Sequence, residues 1–108
     1  MEQGGLIYWT ELYPSTGLLD GTDSRNLLIP PDIKYELMQE VFKPVGDRLG
    51  FLIIAWEEYD ISCADLPILQ TALKSTSNSN ADVQRWVAKA IPFVETAISM
   101  GKDLSISL

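Results

Sequence analysis

Four carboxylates, Glu57, Glu58, Asp60 and Asp65, are crowded into residues 57–65 directly after the apolar run Phe51–Trp56. Carboxylates so close in sequence can do three things. Two of them can share acid and base roles, which requires a cleft that drives their proton affinities apart. Several can hold a hard cation, but calcium loops place oxygen ligands at alternate positions around a central glycine, and no such pattern follows Glu57. Asp20-Gly-Thr-Asp23 is too sparse for an EF-hand. The third use is a charged docking rim, in which acids beside an aromatic residue, here Tyr59, steer and anchor a protein partner.

The rest of the chain narrows these choices. There is no histidine among the 108 residues, which removes the usual base at neutral pH and the commonest transition-metal ligand. One cysteine, Cys63, excludes an intramolecular disulfide framework and a structural zinc site. Cys63 stands at an expected helix start, where a thiol is acidified, but no base accompanies it, and a small, partly buried cysteine is the simpler reading. Neither a P-loop nor a G-x-G-x-x-G motif occurs. No catalytic residue, metal ligand or cofactor is therefore assigned, and the four acids are read as a rim.

The net charge of −7 disfavours electrostatic binding to nucleic acid or anionic lipid. It is uneven: residues 1–31 carry −3, residues 32–65 carry −5 and residues 66–108 carry +1. MEQGGLIYW has no basic segment ahead of its apolar patch and is not expected to be a signal peptide. No apolar run reaches the ~18–20 residues of a membrane span, so a cytoplasmic location is expected. Asn78 and Asn80 lack the hydroxyl residue of a glycosylation sequon.

The elements that would position these residues begin with an irregular arm over 1–31, in which alternation over 6–12 suggests a short strand. Pro14, Gly17 and Asp20–Gly21 mark turns. Tyr8, Trp9 and Tyr13 give the arm large aromatic rings that either fold into the core or form a contact surface. A helix starts at Pro31–Asp32, carries Ile33, Leu37, Val41 and Val45 at four-residue spacing, and is expected to end at Lys43 because Pro44 disfavours helix before it. Gly46 and Gly50 would bracket a connector.

Phe51–Trp56 reads either as helix, with Leu49, Leu52, Ile53 and Trp56 on one face, or as a strand buried on both sides. The helix is preferred because the strand needs partners, and only 6–12 and Leu104–Ile106–Leu108 offer them. Ser62–Asp65 resembles a capping box ahead of a helix with Leu66, Leu69 and Leu73 on one face. A final helix starts at Asn80 or Ala81, continues through Pro92 with a kink, and stops at Gly101. Trp56 and Trp86 belong to the core, and 102–108 follows as a tail or edge strand.

The expected fold is mainly α: a small antiparallel bundle of three to four short helices over 32–108 with the arm 1–31, in a single domain. The alternative is α+β with a central strand at about 51–57. The expected function is a non-enzymatic binding domain of inhibitor, immunity or adaptor type. Its partner-facing residues would be Glu57, Glu58, Tyr59, Asp60, Asp65, Trp9 and Tyr13, and its partner a basic protein, with no nucleic acid and no membrane involved. The alternatives are a homo-oligomeric structural subunit, for which a homodimer is the simplest form, and an enzyme that works with carboxylates alone.

Overall fold

The computed structural model describes residues 5–10, 25–50, 58–77 and 80–108. The strands β1 (Gly5–Trp9), β2 (Asn26–Ile29), β3 (Glu58–Ile61) and β4 (Leu104–Ser107) form one antiparallel sheet in the order β2-β1-β4-β3. Helices α1 (Pro31–Leu37), α2 (Lys43–Leu49), α3 (Leu66–Ser75) and α4 (Ala81–Ser99) complete an α+β fold. This corrects the expected mainly α bundle and supports the α+β alternative. The strand proposed for that alternative, 51–57, lies outside the described residues, as does Trp56. The two segments named as the only available partners, 6–12 and 104–108, do supply neighbouring strands.

The correction has a physical reason. Residues 104–108 are few enough to register only as a tail or an edge strand, and β3, Glu-Tyr-Asp-Ile, carries two residues that strands disfavour. Neither segment is a strand by propensity. Both become one by position, because β4 is inserted between β1 and β3 and pairs along both of its edges. It is a central strand, not an edge. Its residues Leu104, Ser105 and Ile106 are fully buried. Gly5 permits the close approach of β1 to β4: a Cβ there would stand 2.3 Å from the Ser107 carbonyl oxygen.

Alternation sorts the sheet into two faces. Ile7, Trp9, Leu27, Ile29, Tyr59, Ile61, Leu104 and Ile106 share one face by register, and all of them belong to the apolar core or pack against it. Tyr8, Asn26, Glu58, Asp60, Ser105 and Ser107 share the other.

The helices cover the apolar face. In α4, Val83, Trp86, Val87, Ala90, Val94 and Ala97 are buried, a stripe at helical period in which each large side chain contributes about 1.5–3 kcal/mol. Asn80 caps the helix, its side-chain oxygen accepting from the Asp82 amide at 2.8 Å and the Val83 amide at 3.4 Å. Pro92 is exposed, so water can take the carbonyl its missing N–H leaves open. Leu66, Leu69 and Leu73 of α3 are buried as the spacing predicts.

The first helix does not stop at Lys43. A π-helical turn, Met38–Phe42, joins α1 to α2, with the Lys43 amide donating to the Met38 carbonyl. The widened turn makes room for the Pro44 ring, which in a regular helix would collide with the Glu40 carbonyl. Helix continues through the expected connector to Leu49, where Gly50 at φ 84° closes it in the left-handed conformation.

Candidate functional site

Two of the four clustered acids, Glu58 and Asp60, lie on β3, an edge of the sheet among the described residues. Glu58 and Asp60 are two residues apart and so point to the same side, and both are exposed. Across the strands, Asp60 is the register partner of Ser105, and Ser105 is the partner of Tyr8. One hydrogen bond runs along that row, and a second runs diagonally from it to Glu58, whose own register partner is Ser107. The Tyr8 hydroxyl donates to Glu58, and the Ser105 hydroxyl donates to Asp60. Tyr8 is 1% exposed and Ser105 fully buried. Each carboxylate thus reaches solvent while one of its oxygens is held by a hydroxyl anchored inside the sheet. Charge-assisted bonds of this kind are stronger than neutral ones, and they limit the rotamers of two otherwise free side chains.

Two more carboxylates are hydrogen-bonded just past the end of β3. Ser62 Oγ donates to Asp65 Oδ2 at 3.2 Å, and the Cys63 amide donates to Asp103 Oδ1 at 2.7 Å. Asp103 precedes β4 and was not among the residues singled out from the sequence. It is separated from Cys63 by forty positions, and only the pairing of β3 with β4 brings it there. The Cys63 thiol is half-buried and lies 3.8 Å from the Ile98 carbonyl.

The other expected contact residues are placed differently. Tyr59 points to the apolar face and is half-buried. Trp9 is 8% exposed, within the core, with the Lys102 ammonium 5.9 Å from its ring centroid. Glu57 and Tyr13 lie outside the described residues. Among the described residues, no group of three or more His, Cys, Asp or Glu side chains is arranged to hold a metal ion, and no helix is long and apolar enough to cross a membrane.

No family model matches the chain. No curated protein matches it in sequence. A solved structure does match it in fold: the Neisseria DNA mimic protein DMP12, at 14% identity and a TM-score of 0.63, with 98% of this chain and 100% of that one covered. The shared feature is the architecture. The finding overturns two expectations from the sequence, the inhibitor, immunity or adaptor class and a partnership described as a basic protein with nucleic acid excluded.

Proposed function

We propose that this chain is a non-enzymatic DNA mimic, which occupies the DNA site of a nucleic-acid-binding protein. The observation that carries the proposal is the row of anchored carboxylates on the exposed edge of the sheet. Proteins that bind DNA make most of their contacts to phosphates, and those contacts position the duplex without reading sequence. A surface that offers anions at phosphate-like intervals can therefore compete without any base. Alternate residues of a strand are about 6.8 Å apart, a separation comparable with that of neighbouring phosphates along one DNA backbone. Glu58 and Asp60 stand at that interval, both exposed, and hydrogen bonds from the Tyr8 and Ser105 hydroxyls limit their rotamers. A net charge of −7 on 108 residues supplies the long-range field that guides such an encounter. The full-length likeness in fold to a DNA mimic supports the same reading.

The test is competition. The tagged chain is used to capture proteins from its source cell, and the captured material is challenged with duplex DNA. Release of the captured protein by DNA, together with a duplex-binding activity in that protein which the free chain inhibits, is the expected outcome. Retention of the captured protein at saturating DNA would overturn the proposal. The chain itself is expected to give no mobility shift with duplex DNA.

A further inference from the structure

Away from the acidic edge, a groove of about 300 Å³ runs between the first helix and α3, lined by Glu40, Pro44 and Arg48 on one side and Ile68, Thr71 and Ala72 on the other. Its centre is apolar. The Pro44 ring is exposed, and Ile68 and Ala72 are half-buried. That centre can be covered without stranding a donor: proline has no N–H, and the Thr71 hydroxyl already donates to the Pro67 carbonyl at 2.9 Å. The two ends of the helical side carry opposite charges. Glu40 and Arg48 are both exposed and stand four residues on either side of Pro44, about 12 Å apart along the axis, too far to pair with each other. Arg48 makes no ion pair among the described residues. Glu40 has a contact within its own chain, and a carboxylate keeps lone pairs for a second.

An acid and a base placed equally far from an apolar centre form a self-complementary pattern. A two-fold axis through that centre lays the helix antiparallel to its copy, and Glu40 of each chain then meets Arg48 of the other. We propose that this groove is the docking surface for a second copy of the chain, in a symmetric dimer centred on Pro44. The other hollows lack the pattern. Beside the C-terminal half of α4 the charged lining residue is Lys89. In the hollow between α1 and α4, Arg85 is already bonded to Asp82 on its own helix. The net charge of −7 on each copy opposes association at long range, and the contact is made by short helices. The dimer is therefore weak, with a dissociation constant on the order of 10–100 µM. The surface is separate from the mimicking edge, since no residue of β3 lines it.

The test is charge reversal in the intact chain, followed by sedimentation equilibrium from about 5 to 500 µM and by the concentration dependence of amide chemical shifts. The unaltered chain is expected to dimerise, with shifts confined to residues 40–48 and 68–75. Glu40→Arg and Arg48→Glu, both at exposed positions, should each weaken self-association at least tenfold, because each sets like charges against one another at both ends of the groove. An equimolar mixture of the two variants should form a heterodimer as tight as the original dimer, and the double reversal should dimerise again. No contact other than this antiparallel one predicts that rescue. The proposal is overturned if the unaltered chain is a monomer at about 500 µM, if either single reversal associates as before, or if the mixture associates no more tightly than its components.

Discussion

The two edges of the sheet are both four residues long, and they are protected in opposite ways. At one edge, β2 presents Asn-Leu-Leu-Ile, and the Trp86 indole of α4 donates to the Leu28 carbonyl at 2.8 Å. That bond occupies a strand carbonyl with a side chain that is itself core, 4% exposed and packed edge-to-face on Phe42 at 6.2 Å. At the other edge, β3 presents Glu-Tyr-Asp-Ile, and its protection is charge. An exposed edge invites pairing with another chain, and either device prevents it. The difference lies in what remains available. The β2 device uses a buried residue and leaves no charge on the surface. The β3 device leaves two oriented anions facing solvent, which can serve a second purpose without any change to the fold.

Four variants break or sharpen that contrast. Trp86→Ala should have the largest effect on the fold, about 3–5 kcal/mol of stability lost on chemical denaturation. Trp86→Phe, which keeps most of the volume and loses the indole N–H, should cost about 1–2 kcal/mol. A Trp86→Phe cost as large as that of Trp86→Ala would mean that the bond to Leu28, not packing, protects β2. Glu58→Gln with Asp60→Asn should do the reverse. The amide oxygens still accept from Tyr8 and Ser105, so stability should move by only about 0.5–1 kcal/mol. Inhibition of duplex binding by the captured partner should weaken at least tenfold per carboxylate. Unchanged inhibition would sink the assignment of β3 as the mimicking edge. The smallest effect is expected at Leu28, 52% exposed. Leu28→Lys should shift stability by no more than about 0.5 kcal/mol and leave competition with DNA as it was.

The same contrast explains what could be read in advance. Helix α4 was legible because a long amphipathic period, an Asn80 cap and Gly101 all point to the same element. Leu66, Leu69 and Leu73 were legible for the same reason. β3 and β4 were not, since each is short and acquires its structure from pairing across more than forty residues. The carboxylates Glu58 and Asp60 could be picked out by composition, but their anchoring hydroxyls could not. In the sequence Tyr8 stands with its aromatic neighbours, and Ser105 in a tail or edge strand. Nothing in the local sequence connects either to an acid on β3. Asp103 was hidden in the same way. The continuation of helix past Lys43 is not legible because Pro44 disfavours helix before it, and the turn widens instead.

That widened turn has left a trace in the spacing of the core residues around it. Ile33, Leu37, Val41 and Val45 recur every fourth position and are all buried. In a helix of 3.6 residues per turn a step of four overshoots by about 40°, so three such steps would carry Val45 roughly 120° from Ile33 and toward solvent. The extra residue accommodated by Met38–Phe42 takes part of that rotation back, and the stripe stays on the core. A run of apolar residues at strict fours, with a proline just before its last member, is therefore more than an amphipathic helix: it is the imprint of a local change in helical pitch.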